Sequence, residues 1–291
     1  MKPSRSTFIT VRGLRCHVRH WGSEDAPIIV MLHGWMDVSA SFQFLVDAFA
    51  HEWHVIAPDW RGFGLSDAAP GGYWYPDYLA DLDAILDCYS PDRAVCLLGH
   101  SLGANVAGIY AGVRPARVAK LIDIEGFGMP VTQPAEAPAR YGQWLDALKE
   151  PGGLRPYPTL RDVAARLQKT NPRLSDARAA FLAQHWASQD EDGSWRILAD
   201  PQHRLPNPTL YRVEEVLACW RAITAPVLWI EARDSELTAR LDAGQGARAE
   251  IDRRIAFIPN VTILMVDGAG HMVHHDQPEI LASAIETFLA G

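Results

Sequence analysis

Short, largely apolar runs recur along this chain, and most of them are separated by segments of helical length. The runs lie at residues 28–32, 54–57, 94–98, 120–124, 227–230 and 262–266. Runs of this length are typical of strands buried on both faces, because a strand with one solvated face alternates apolar and polar residues. Strands that alternate with helices predict an α/β fold, in which a mostly parallel central sheet is flanked by helices.

The alternation stops between residues 129 and 222. This stretch holds 10 of the 20 prolines and no convincing strand run. Thr159 and Ser175 each open a segment with apolar residues at helical spacing. We therefore expect a helical cap at residues 129–222, inserted late in the sheet of a core that residues 1–128 and 223–291 form.

The charge balance argues against a polyanionic partner. The chain has 27 Lys and Arg against 35 Asp and Glu, a formal net charge of −8, and no basic run, so we expect no nucleic acid partner. The longest apolar stretches fall short of the roughly 18 residues that a membrane span needs, and residues 1–6 lead into no export signal. We expect a cytoplasmic protein that acts on a small molecule; the sequence does not predict its oligomeric state.

The strongest chemical signal is the pentapeptide Gly99-His100-Ser101-Leu102-Gly103, which lies where the run 94–98 passes into a small-residue helix. A nucleophile on a tight strand-to-helix turn has a strained backbone, and glycines on both sides let the strand and helix approach each other. The turn also aims the hydroxyl away from the sheet, above a helix N-terminus that stabilises negative charge. The pattern predicts Ser101 as a nucleophile in acyl transfer.

Acyl transfer places negative charge on a carbonyl oxygen, so two backbone N–H groups should face that atom. Leu102 supplies one from the turn. The second is expected from the loop after the run 28–32, where we assign the N–H of Trp35. His33, in the same loop, is interpreted as orienting the loop by hydrogen bonds.

A serine hydroxyl needs a neighbouring imidazole to take its proton. Of the 11 histidines, His271 follows a late strand in the glycine-rich loop 268–271 and precedes the last helix, so it is the predicted base. His274, His275 and Asp276 follow it and could suggest a metal site, but no matching cluster lies elsewhere in the sequence. We expect neither a metal nor a cofactor.

The chain resembles the α/β-hydrolase family over nearly its whole length. Ser101 before a late His271 is the order of that family, and the segment Asp59-Trp60-Arg61-Gly62-Phe63-Gly64-Leu65-Ser66 is similar to its structural D-x-R-G-x-G-x-S motif. The stretch 32–37, with Ser41 and Phe42, resembles the serine hydrolase-like proteins. The resemblance implies the α/β-hydrolase fold and a catalytic triad.

The acid of the triad has two candidates. A buried carboxylate must fix the histidine tautomer and stabilise its charge, and the family normally provides it after the strand at 227–230, where Asp234 lies. Asp234 is our first assignment, although Glu231, Arg233 and Glu236 surround it. Some family members carry the acid after the preceding strand instead, where this chain has Glu125.

These residues predict a serine hydrolase that cleaves a carboxylic ester of a small, largely apolar substrate through an acyl-enzyme. Trp35, Met36, Met129 and Trp144 are expected to line the substrate pocket, between the sheet and the cap. Thioesters, lactones and amides could be cleaved by the same groups. A hypothesis of a different class is a ligand-binding protein that keeps this fold but has little turnover.

Overall fold

The computed structural model describes residues 1–149, 152–241 and 246–291. Ten strands lie in these residues: β1 (Ser4–Val11), β2 (Leu14–Trp21), β3 (Ile28–Leu32), β4 (His54–Pro58), β5 (Val95–His100), β6 (Val118–Ile124), β7 (Ala187–Gln189), β8 (Trp195–Ile197), β9 (Val227–Ala232) and β10 (Val261–Val266). Eight of them form one sheet in the order β1-β2-β4-β3-β5-β6-β9-β10. The hairpin β1–β2 and the pair β2–β4 are antiparallel, and the other pairs are parallel. The predicted α/β fold is confirmed.

Ten α-helices lie in the same described residues. They are α1 (Gln43–Ala48), α2 (Tyr75–Tyr89), α3 (Leu102–Val113), α4 (Ala137–Lys149), α5 (Leu160–Thr170), α6 (Asp176–Trp186), α7 (Val213–Arg221), α8 (Ala247–Ile255), α9 (Val273–Asp276) and α10 (Pro278–Ala290). None of the helices in this part of the chain is both long and apolar enough to cross a lipid bilayer.

Both faces of the central strands are buried, which explains their unbroken apolar runs. The run 262–266 was wrongly expected to be buried on both faces: it forms the edge strand β10, where Ile263 is 52% exposed. In β3, Val30 and Leu32 belong to a core shared with α2, α3, α7 and α8, whereas Ile29 and Met31 belong to a second core shared with α1 and α10. Successive side chains of a strand point to opposite faces. A strand between two helical layers therefore needs an apolar residue at nearly every position.

The strand order reverses at β3, and this reversal positions the site. β3 and β5 are neighbours in the sheet. The connection after β3 leads to β4 on one side, and the connection after β5 leads to β6 on the other side. Such a switch point leaves a crevice at the carboxyl ends of the two strands. The loop with His33 and Trp35 follows β3, and Ser101 follows β5, so both segments open onto this crevice.

The inserted segment, residues 129–222, carries α4 to α7 and a small antiparallel sheet of β7 and β8. The sequence predicted no strand there, and this was wrong: β7 and β8 have three residues each, too few to leave a visible apolar pattern. The expected helix starts are present, since the side chains of Thr159 and Ser175 cap α5 and α6. α7 packs on α3 in the main core, where a Cβ on Gly112 would lie 1.9 Å from the Cys219 carbonyl oxygen.

One carboxylate joins the last helix to the loop between α1 and β4. Glu286 of α10 accepts hydrogen bonds from the N–H groups of Ala50 (3.1 Å) and His51 (2.8 Å) and from Trp53 Nε1 (3.0 Å). Burial alone would raise the pKa of Glu286, but these donors outweigh it and hold the pKa below the ordinary value. The ionised carboxylate therefore stabilises the fold above the unfolded-state pKa, and this contribution is lost as the pH falls through the lower folded-state value.

We expect Glu286→Gln to lower the free energy of unfolding by about 1–3 kcal/mol near neutral pH, because it removes hydrogen bonds to a charged group. The difference from the wild type should shrink as the pH falls below about 4.3, the ordinary glutamate pKa. Urea unfolding of the wild type and the variant, near neutral pH and below about pH 4.3, measures this difference in free energy. Glu279→Gln is the matched control, since the Glu279 side chain on the same helix is 75% exposed. An equal loss in both variants would contradict this role of Glu286.

Candidate active site

Ser101 lies on a sharp turn between β5 and α3. Its φ of 52° and ψ of −112° fall outside the regions that L-residues usually adopt. Hydrogen bonds on both sides fix this conformation: the Ser101 N–H donates to Ile124 (2.9 Å), and the Ser101 carbonyl accepts from the Asn105 N–H (3.0 Å). The expected strand-to-helix turn is therefore present.

The two glycines of the pentapeptide are required by space. A Cβ on Gly103 would lie 2.0 Å from the Leu32 carbonyl oxygen, and one on Gly99 would lie 2.4 Å from backbone atoms of Ala104. Real Cβ atoms do not approach so closely, so a larger residue at either position would force β3, β5 and α3 apart. The sequence interpretation of these glycines agrees with the geometry.

Backbone strain is concentrated at this site. Among the residues that the structure describes, four non-glycine residues have a left-handed φ: Arg12, Met36 (57°), Ser101 and Glu125 (59°). Arg12 lies in the turn between β1 and β2. Met36 lies in the loop after β3, and Glu125 directly follows β6. Strained residues of this kind tend to cluster where function demands a fixed geometry.

The loop after β3 lies against the turn at Ser101. A Cβ on Gly34 would lie 3.4 Å from the Ser101 Cβ. His33 is buried and holds this loop: its Nδ1–H donates to the Gly34 carbonyl (2.8 Å), and its Nε2 accepts from the Trp60 N–H (2.9 Å). Burial lowers the pKa of His33, which favours the neutral ring that both contacts need. The expectation that His33 orients the loop is consistent with these contacts.

Backbone N–H groups are available at the turn. The Asn105 N–H makes the first hydrogen bond of α3, so the N–H of Leu102 has no acceptor within the helix. It therefore points from the N-terminus of α3, where the helix dipole favours an anion. Trp35, the other predicted donor, lies in the loop that packs on Ser101, and its side chain is 54% exposed.

His100, the pentapeptide residue before Ser101, holds the loop of His271 against the turn. The Nε2–H of His100 donates to the His271 carbonyl (2.9 Å), and the two ring centroids are 4.6 Å apart. Because His100 directly precedes Ser101, this bond joins the loop of the predicted base to the predicted nucleophile. Within the described chain the Ser101 hydroxyl makes no side-chain hydrogen bond; such contacts often tighten only with substrate.

Glu125 is the carboxylate in contact with His271. His271 Nδ1 lies 3.2 Å from Glu125 Oε2. Glu125 is 1% exposed, and its other contacts are the Ala232 N–H, 2.7 Å from Oε1, and the Ser235 hydroxyl, which donates to Oε2. Three donors therefore fix this buried carboxylate beside the imidazole.

Asp234, the first assignment of the acid, is placed differently. Its carboxylate is 49% exposed and accepts from Arg173 Nη2 at 2.7 Å. Its backbone does reach the histidine loop, through an N–H bond to the Ala269 carbonyl (3.1 Å), but its side chain is directed at the inserted segment. The geometry thus favours the alternative, Glu125. Sequence position after β9 identified the loop, but not the direction of the carboxylate.

The other predicted pocket residues differ in burial and in contacts. Met36 is partly buried against the core, Met129 is 52% exposed, and Trp144 packs edge-on against Trp74 with centroids 6.3 Å apart. Their contact with a substrate stays a prediction.

The inserted segment is joined by hydrogen bonds to the loop that carries His271. Asp276 accepts from the Gly270 N–H (2.9 Å) through one oxygen and from Asn171 Nδ2 (2.7 Å) through the other. His274 and His275 instead share the Ser41 hydroxyl, at 3.0 and 2.7 Å. Asp276 is therefore committed to the loop, and the metal group considered from His274, His275 and Asp276 is not assembled.

Known proteins resemble this chain over most of its length. Residues 27–278 match a family model described as alpha/beta hydrolase fold. A "Serine hydrolase-like protein" of Danio rerio is 28% identical, covering 92% of this chain and 83% of the relative. A "2-(acetamidomethylene)succinate hydrolase" of Mesorhizobium japonicum is also 28% identical, covering 98% and 95%. A solved "Thioesterase Domain From Curacin Biosynthetic Pathway" superimposes with a TM-score of 0.86 at 23% identity, covering 98% of this chain and 99% of that one.

The strain at Ser101 predicts a difference between two small substitutions. Ser101→Gly should leave the protein more stable than Ser101→Ala by about 1 kcal/mol, because glycine adopts this backbone conformation without the strain of a Cβ. Thermal or urea unfolding of the two variants measures the difference. The same pair of changes at Ser283, in the middle of α10, should favour alanine, since glycine weakens a helix interior. A Ser101→Gly variant less stable than Ser101→Ala would show that the turn is not strained.

Proposed function

This chain belongs to the α/β-hydrolase fold family, and from that premise we propose that it is a serine hydrolase that cleaves carboxylic esters of small, largely apolar molecules. The observation that carries the proposal is the set of contacts beside the strained, glycine-flanked Ser101: the adjacent His100 holds the His271 loop at 2.9 Å, and His271 Nδ1 lies 3.2 Å from the buried Glu125 carboxylate. This is the arrangement that converts a hydroxyl into a nucleophile. The name of the zebrafish relative, a serine hydrolase-like protein, supports it.

In the first half-reaction, Ser101 Oγ attacks the ester carbonyl carbon and passes its proton to Nε2 of His271. The carbonyl oxygen becomes an oxyanion, which the N–H groups of Leu102 and Trp35 stabilise. His271 then gives the proton to the departing alcohol oxygen, the carbon–oxygen bond breaks, and Ser101 carries the acyl group. In the second half-reaction a water attacks the acyl carbon and passes a proton to His271. His271 then returns the proton to Ser101 Oγ as the bond to the acyl group breaks and the carboxylic acid is released.

Glu125 is the proposed acid of the triad. Its Oε2 receives the Nδ1–H of His271, which fixes the tautomer with a free electron pair at Nε2. The donors Ala232 and Ser235 keep the carboxylate in place without matching its charge, so that charge remains available to the imidazolium that forms during the reaction. Asp234 is neutralised by Arg173 and is half exposed.

An apolar acyl or aromatic group is the proposed preference of the pocket. Trp35, Met36, Met129 and Trp144 are the apolar residues that we propose to line it. The bond itself is less restricted, because a thioester, lactone or amide presents the same carbonyl carbon to Ser101. We propose that residues 129–222 form the cap over this pocket, with α7 as the part that packs into the core.

We expect a fluorophosphonate probe to label Ser101 and the protein to hydrolyse p-nitrophenyl acetate and butyrate. Ser101→Ala should lose both the label and the hydrolysis, because no other group can take the acyl or phosphonyl group. Mass spectrometry of the labelled peptide and release of p-nitrophenol measure the two effects. A folded wild-type protein that is neither labelled nor active would instead favour a ligand-binding role.

The acid is tested by a matched pair of amide substitutions. Glu125→Gln should lower kcat by about 10³ to 10⁴-fold, because the amide keeps the shape but cannot stabilise the imidazolium. Asp234→Asn should lower kcat far less, since it only releases Arg173. Steady-state kinetics with p-nitrophenyl butyrate measure both, with circular dichroism to verify the fold. The reverse order of effects would return the acid to Asp234.

A further inference from the structure

Three buried side chains beside the proposed active site have polar atoms without a partner. They are Asp37, in the loop after β3, His100, directly before Ser101, and His274 of α9. Their exposed fractions are 8%, 1% and 0%. Asp37 Oδ2, His100 Nδ1 and His274 Nδ1 make no hydrogen bond to any described residue. One potential ligand atom of each residue, a ring nitrogen or a carboxylate oxygen, lies within 4.8 Å of one from each of the other two.

The hydrogen bonds of His100 define what its free nitrogen offers. Its Nε2 contacts the His271 carbonyl oxygen at 2.9 Å, and a carbonyl can only accept, so Nε2 carries the proton. Burial, the main cause, lowers the pKa of His100 well below its ordinary value, so the ring is neutral. In a neutral ring with a proton on Nε2, Nδ1 presents a lone pair.

His274 presents its Nδ1 in the same way. Ser41 has one hydroxyl proton and contacts both His275 Nε2 (2.7 Å) and His274 Nε2 (3.0 Å). We assign the proton to the shorter contact, so Ser41 accepts from the Nε2–H of His274. Burial lowers the pKa of His274 as well, so the ring is neutral.

Asp37 supplies the third lone pair and the negative charge. Its Oδ1 accepts from the Val38 N–H (2.9 Å), while Oδ2 is buried without a hydrogen-bond partner in the same cluster. Three acceptors then converge with no donor among them. One water molecule can donate to only two of the three, whereas a cation satisfies all of them.

We propose that Asp37, His100 and His274 form a binding site for a transition-metal dication of the zinc type. Two neutral imidazoles and one carboxylate are the ligand set that such ions prefer, and a water would complete a tetrahedron. Zinc holds these donors at about 2.0–2.2 Å, which sets them about 3.3–3.6 Å apart, so the three side chains draw together on binding. This site revises the expectation of no metal and is independent of the proposed hydrolase activity.

The outer contacts of the site suit this role. The Nε2–H of each histidine is held by a second group, the His271 carbonyl for His100 and the Ser41 hydroxyl for His274. Such bonds orient a metal-binding imidazole and fix its tautomer. They come from two different segments of the fold, so each ring is oriented before an ion arrives.

The test titrates Co²⁺ into protein that has been dialysed against a chelator. We expect one Co²⁺ per chain, with the visible absorption bands of a four-coordinate ion, and displacement by Zn²⁺. Asp37→Asn and His274→Gln should each weaken binding by at least about tenfold. Asp37→Asn keeps the acceptor for Val38, and His274→Gln keeps a donor for Ser41 while removing Nδ1. His51→Gln is the matched control, because His51 is an exposed histidine beside a carboxylate, and it should bind as the wild type does.

The proposal is overturned if the wild type binds no Co²⁺, or if Asp37→Asn and His274→Gln bind it as the wild type does. Should both variants fail to fold, anomalous diffraction from a wild-type crystal soaked in Zn²⁺ decides the question. A peak between the three side chains supports the site. A peak only elsewhere, or no peak, overturns it.

Discussion

The close approach of β3, β5 and α3 at Ser101 is the constraint on which the site depends. Without side chains at Gly99 and Gly103, the helix starts almost in contact with the Leu32 carbonyl. The strained backbone at Ser101 persists because its N–H and carbonyl both remain hydrogen-bonded, one to β6 and one within α3. The same approach leaves the first N–H groups of α3 without acceptors in the helix, so the proposed nucleophile and part of the proposed oxyanion site arise from one packing contact.

Burial of polar groups around this contact gives the site its rigidity. Asp59 shows the pattern: burial would raise its pKa, but the hydrogen bonds from His17 and from the Leu65 N–H hold the pKa to about 2. It also accepts from the Ser39 N–H at 2.7 Å, in the loop that follows β3. The first residue of the D-x-R-G-x-G-x-S motif is thus structural: its ionised carboxylate is hydrogen-bonded to β2, to the loop after β3 and to the motif's own loop.

The sequence predicted those features that depend on neighbouring residues. Unbroken apolar runs follow from burial on both faces of a strand, and the glycines around Ser101 follow from local sterics. The acid could not be decided in this way. Asp234 and Glu125 both follow a strand, and what separates them is a contact with Arg173, a residue 61 positions away in the chain. The group of Asp37, His100 and His274 was missed for the same reason, because it joins three distant segments.

The hydrogen bonds between the inserted segment and the histidine loop limit how that segment can move. Asp276 ties Asn171 of the inserted segment to the loop of His271, and on another side the Gly64 N–H donates to the Leu198 carbonyl at 2.8 Å. Moving the whole segment away would break the Asn171–Asp276 hydrogen bond and so disturb the loop of His271, the proposed base. The position of this histidine is therefore coupled to the position of the inserted segment.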